Sequence, residues 1–177
     1  MRSLDDLQGL NIRVPSRNAG LVIEAWGANP VSMPAPEIYN SMQTGVIDGA
    51  FIDATTLRVF KLQEVTGSIT TGMEGTISSF FMIMNRDSFD GLTEAQQQAV
   101  LDAGNAASLR AHAIQIGGAA SALEAFGATE GKEIITLSPE EAVRFNDASS
   151  AVVNKVIADA DAAGLDATEF VNPLGDG

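Results

Sequence analysis

The sequence predicts an α/β fold in which a parallel sheet is covered by helices. Three observations lead there. Short apolar runs alternate with helix-start signals through the first 66 residues, as repeated β-α units do. Two later stretches carry strong caps and read as long helices. The apolar content of 45% against 19% charged residues is enough for a packed core and too much for a disordered chain.

Asn11-Ile12-Arg13-Val14 reads as a strand closed by Pro15. Asn18 is the candidate cap of a first helix that carries Leu21, Val22, Ala25 and Trp26 at helical spacing and stops at Gly27. Val31-Ser32-Met33 is a second strand, ended by Pro34. Pro36-Glu37 opens a helix that buries Ile38, Met42 and Tyr39 and ends at Gly45. Val46 to Ile52 reads as a third strand, followed by a helix from Thr55 to Glu64.

Ser68 to Thr71 and Ser79 to Asn85 read as extended segments around the turn Gly72-Met73-Glu74-Gly75. The second is apolar on both faces and is expected inside a sheet. Thr93-Glu94-Ala95-Gln96 is a capping box that starts a helical stretch to about Phe126, with Gly104, Gly117 and Gly118 as points of interruption. Lys132 to Leu137 is a short strand. Ser138-Pro139-Glu140-Glu141 combines a cap, a first-turn proline and a reciprocal Glu, opening a helix to Ala163 that stops at Gly164. The tail from Asp166 is expected to be loose at its end.

Ten Lys and Arg stand against 23 Asp and Glu, a net charge of −13. Such a chain repels phosphate backbones and anionic head groups, which speaks against nucleic-acid or membrane-surface partners. The longest run of large apolar side chains, Phe80-Phe81-Met82-Ile83-Met84, is far too short to span a bilayer. There is no cysteine, hence no disulfide, thiolate nucleophile or Cys-ligated zinc. The first residues, Met1-Arg2-Ser3-Leu4-Asp5-Asp6, lack the regions of a secretory signal. The expectation is either a cytosolic protein or a chain that begins after its export signal.

Catalytic motifs are missing. The single His112 sits mid-helix among alanines and reads as a structural, buried or half-exposed histidine. Gly72-Met73-Glu74-Gly75 lacks the lysine of a phosphate loop and reads as a turn. Asp48 and Asp53 are five residues apart and on a strand would face opposite sides, so paired acid/base work is not expected; Asp48 before Gly49 suits a turn or cap. No cofactor and no metal-ligand set is read from these residues.

Arg13 stands out. It interrupts an apolar strand near its carboxyl end, where ligands gather in open α/β sheets. Guanidinium binds a carboxylate through two parallel hydrogen bonds and keeps its charge when desolvated. The alternative is that Arg13 alternates outward into solvent.

Taken together, Gly9-Leu10-Asn11-Ile12-Arg13-Val14-Pro15-Ser16-Arg17, then Ala28-Asn29-Pro30-Val31-Ser32-Met33-Pro34, then Glu37-Ile38-Tyr39, then Gln43-Thr44-Gly45-Val46-Ile47-Asp48-Gly49-Ala50 resemble the solute-binding proteins of TRAP (tripartite ATP-independent periplasmic) transporters, of the dicarboxylate-receptor type. Ser79 to Asn85 and the helix opening near Leu92 also fit. The resemblance implies a periplasmic-binding-protein-like lobe with a parallel sheet, flanking helices and a long bracing helix, the first lobe being largely absent from this chain. Residues 10–66 and 127–177 would form the second, ligand-binding lobe, and 67–126 would cross toward the first.

The resemblance further implies that Arg13 clasps the carboxylate of a small organic acid, and that Phe51, Ile52 and Asp53 lie beside it. Ile52 stands where several relatives have asparagine, which disfavours a sugar acid. Ala35 stands where some have an aromatic residue, which leaves room for a bulkier ligand. Arg17 is either a second contact or a solvated helix-start residue. The implied role is a periplasmic receptor, not an enzyme, that hands its ligand to a TRAP permease. Two alternatives remain: an enzyme using Asp48, Asp53 or Glu74 as acid/base, and a non-binding structural fragment. Without a first lobe, the faces around Phe80, Phe81, Ile83 and Met84 would be uncovered, so homo-oligomers are expected.

Overall fold

Ile12 and Val14 have the β-branched side chains that pack well in a strand. They form β1 (Asn11–Val14), the central strand of a three-stranded sheet. The computed structural model describes residues 1–75 and 80–171. β2 (Asn29–Ser32) and β3 (Gly49–Ala50) flank β1 on either side, both parallel to it. A second parallel pair joins β4 (Ser68–Thr71) to β5 (Glu133–Thr136). The predicted α/β class and parallel pairing hold. The third strand is shorter than the expected 46–52. β3 is an edge strand, and before it the Asp48 carboxylate takes the Asn11 amide while Ile47 is buried in the core.

The helix α1 (Arg17–Ala25) begins at Ser16, not at the expected Asn18. Ser16 has extended backbone and its hydroxyl accepts the Ala19 amide at 3.3 Å, so Asn18 already lies inside the first turn. At the other end Gly27 adopts φ 87°. The Gly27 amide donates to Glu24 and the Ala28 amide to Ile23, the paired closure that a left-handed glycine permits.

Pro36 has no amide hydrogen, and the chain there forms a tight 3-10 turn, Ala35–Glu37, that continues as α2 (Ile38–Gln43). The expected helix 55–64 is divided. α3 (Thr56–Val59) and a 3-10 turn at Leu62–Glu64 are separated by Lys61 at φ 55°. That kink lets both Leu57 and Leu62 enter the core.

Residues 80–85 form no strand, which corrects the expectation that they lie inside a sheet; Ser79 lies outside the described residues. With no neighbouring strand among the described residues, Phe80, Phe81, Met82 and Ile83 are each at least 74% exposed. A short α4 (Arg86–Asp90) follows, and then α5 (Glu94–Gly127), a 34-residue helix opened by the Thr93–Gln96 capping box. It passes through Gly104, Gly117 and Gly118 without a break. His112 is exposed on it, not buried or half-exposed as expected, because only the far end of α5 is packed. α6 (Pro139–Ala162) starts at the Ser138 cap. Glu141 does not reach back to that cap; its carboxylate accepts the Leu4 amide and pairs with Arg144. α7 (Ala167–Val171) ends the described chain, and the expected loose end beyond it lies outside the described residues.

Two cores cover the two faces of the main sheet. Ile12 and Val14 face α1 and α6, where Trp26 and Phe145 meet edge-to-face with ring centroids 5.0 Å apart. The Trp26 indole N–H donates to the Phe145 carbonyl and the Ser149 hydroxyl, so a large polar-tipped ring is buried with its donor satisfied. On the opposite face Ile38, Ile47, Leu57 and Leu62 pack with Ala122 and Phe126, the two buried residues of α5. Among the described residues no helix is long and apolar enough to cross a membrane.

Candidate functional site

Strand alternation turns Arg13 to the face opposite Ile12 and Val14. In register it lies between Val31 of β2 and Ala50 of β3, at the carboxyl end of the central strand. The side chain is 5% exposed. Its Nε donates to the Met33 carbonyl at 3.0 Å and one Nη1 hydrogen to the Phe51 carbonyl at 3.5 Å. Those two carbonyls lie just past the ends of β2 and β3, so the guanidinium bridges the segments leaving both outer strands. Burial lowers its pKa from the ordinary arginine value, and it keeps its charge. Among the described residues no carboxylate pairs with it, and its Nη2 makes no hydrogen bond. A desolvated cation with spare donors and neutral partners can take an anion in bidentate fashion.

The other sequence-derived candidates divide between the two faces. Ile52 and Ala35 are half-buried and pack against the core on the Arg13 face. Phe51 offers Arg13 only its backbone carbonyl. Its ring packs edge-to-face on Trp26, 5.7 Å away, in the core on the opposite face. Asp53 is exposed, and its carboxylate accepts the Thr55 amide at 2.7 Å and the Thr55 hydroxyl, which starts α3. Arg17 is exposed on the first turn of α1, the helix that packs on the face away from Arg13. Met33 was not singled out from the sequence. It contributes through its carbonyl, for which side-chain chemistry gives no signal, although its place between a strand and Pro34 marks a strand end.

The groups invoked for catalysis are dispersed. Asp48 binds the Asn11 amide at the amino end of β1, whereas Asp53 lies beyond the carboxyl end of β3. Glu74 has its backbone amide held by Asn146 of α6 at 3.0 Å. It lines a shallow cleft with Val22, Asn146 and Val153, on the α1–α6 side. No three of His, Cys, Asp and Glu among the described residues are grouped to hold a metal ion.

The sequence and the fold are both similar to those of known proteins. The model for the bacterial extracellular solute-binding proteins, family 7, matches residues 1–159. The chain belongs to that family. A solute-binding protein of Albidiferax ferrireducens is 35% identical over 102 residues, 56% of this chain and 30% of that protein. The ectoine-binding periplasmic protein TeaA of Halomonas elongata is 37% identical over 84 residues, 48% of this chain and 24% of its own length. Among solved structures, a marine-metagenome TRAP solute-binding protein specific for aromatic acid ligands, from an unidentified microbe, was crystallised with 3-hydroxybenzoate. It aligns with a TM-score of 0.85 at 28% identity, over 97% of this chain and 55% of that one. The chain thus spans about half the length of that structure. These relatives are named as solute-binding proteins.

Proposed function

We propose that this chain supplies the second lobe of a periplasmic receptor that captures a small organic acid and delivers it to a TRAP permease. One observation carries the reading: Arg13, buried at the carboxyl end of the central strand and held by two neutral carbonyls, with no carboxylate partner among the described residues. A purely structural arginine in such a place would be expected to have an acidic partner, because an unpaired buried charge is costly. The kinds of ligand bound by relatives, ectoine and 3-hydroxybenzoate, all carry a carboxylate that a guanidinium can clasp. No bond is made or broken. The ligand is held by Arg13 and by closure of the first lobe over it, and the closed form is what a permease distinguishes from the empty receptor.

In this reading Ile52 and Ala35 border the ligand, while Phe51, Asp53 and Arg17 shape the surrounding structure. Residues 10–66 and 127–171 form the lobe, to which β4 is tied by its pairing with β5, and the crossing toward a first lobe is made within 67–126. Support comes from α5, which buries only Ala122 and Phe126 near its end. The apolar segment from Phe80 to Met84 stays exposed, a surface suited to association between copies when nothing else covers it.

The test is an NMR titration of the 177-residue chain with benzoate, alongside Arg13→Met. Saturable shifts at Val14, Met33 and Ile52 that vanish in the variant are expected. Removing one partner of such a charge pair weakens binding by roughly 30- to 5,000-fold. Equal binding by the variant would overturn the assignment.

A further inference from the structure

Beyond the two carbonyls that hold Arg13, the side chains that share its face are hydrocarbon. Its neighbours across the sheet, Val31 and Ala50, share its face by register. The segments whose carbonyls hold it continue into Met33 and Ala35 on one side and Ile52 on the other. All five are half-buried and pack against the same apolar core. None carries an amide, hydroxyl or charge.

Two polar side chains on the neighbouring segments are engaged locally. The Asp53 carboxylate is held by Thr55. The Tyr39 hydroxyl donates to Glu64 at 3.0 Å. Ser32, in register with Val14, lies on the opposite face. A ligand anchored by its carboxylate on Arg13 therefore lays the next part of its body against alkyl groups.

We infer, resting on the reading that Arg13 takes a carboxylate, that this lobe selects monocarboxylates with an aromatic or alkyl body. It discriminates against dicarboxylates and polyhydroxylated acids. The physical basis is asymmetric. An aromatic ring exchanges water for hydrocarbon contact and gains. A hydroxyl or second carboxylate placed on the collar gives up water without a partner. An apolar pocket rejects an added hydroxyl by on the order of 10²-fold when enclosed. On one open lobe the preference for benzoate over gluconate or succinate is at least about tenfold on the same grounds.

The experiment titrates the 177-residue chain with benzoate, succinate and gluconate at matched ionic strength, following the methyl signals of Met33 and Ile52. Arg13→Met and Ile52→Asn are titrated in parallel. The expected result is a benzoate preference of that size, abolished with binding itself in Arg13→Met, and narrowed several-fold in Ile52→Asn, which adds a donor and an acceptor to the collar. If the three acids bind equally and all are lost in Arg13→Met, the selectivity is refuted while the anchor stands. An unchanged preference in Ile52→Asn also refutes the selectivity. Benzoate binding that survives Arg13→Met, or no binding by any of the acids, overturns the anchor and the selectivity with it.

Discussion

Replacing Arg13 by methionine separates a residue kept for binding from one kept for stability. The substitution removes a hydrogen bond at 3.0 Å and a weaker one at 3.5 Å. A bond with a charged donor contributes ~1.5–3 kcal/mol, and a carbonyl left unpaired adds a cost of ~1–3 kcal/mol. Against this stands the release of a guanidinium that is 5% exposed and has no acidic partner among the described residues. Keeping one ion desolvated costs several kcal/mol, and methionine fills much of the same space with flexible hydrocarbon. The opposing contributions are of similar size, so the net change in unfolding free energy is expected within about 1 kcal/mol of zero. Urea unfolding followed by the fluorescence of Trp26, the single tryptophan and 2% exposed, measures it. A loss above ~3 kcal/mol, the size seen when a structural buried ion pair is broken, would refute the argument that Arg13 is held in reserve for a ligand.

Other perturbations test the fold around the site. Phe145→Ala empties the centre of the core that backs the sheet, where the ring is 0% exposed against Trp26, and a loss of ~3–5 kcal/mol in the same assay is expected. Hydrogen bonds from Arg144 and then from the Leu4 amide hold the Glu141 carboxyl below its ordinary 4.5. Such a group stabilises the fold above that value, and the contribution is lost as pH falls through the lowered one. Thermal melts of Glu141→Gln should therefore show a shallower decline below pH 4.5 than the parent; identical acid profiles would contradict the linkage. Phe81→Glu with Ile83→Glu places charge on an exposed apolar segment, and light scattering should show less self-association than in the parent. A parent that is already monodisperse and monomeric would contradict the expected association.

Local signals carried most of the fold. Strand β1 and the caps at Thr93 and Ser138 depend on residues within a turn of one another, and each lies where the sequence reading placed it. Tertiary context decides the rest. Residues 80–85 have the composition of a buried strand but, among the described residues, no neighbouring strand to pair with. The break at Lys61 answers to the burial of Leu57 and Leu62, which no local pattern announces. At the site, Arg13 was legible because a charge inside an apolar strand is anomalous. The carbonyls of Met33 and Phe51 were not, since every residue has one. Asp53 follows the same strand as Phe51, but one of its carboxylate oxygens accepts from Thr55 in the turn that starts α3.

The most direct test is a crystal structure of the chain soaked with benzoate. The expected result is the benzoate carboxylate ~2.7–2.9 Å from the Arg13 guanidinium, the range of charge-assisted pairs, with the ring lying toward Ile52 and Ala35. A carboxylate bound elsewhere while Arg13 keeps only its two carbonyl contacts would contradict the account.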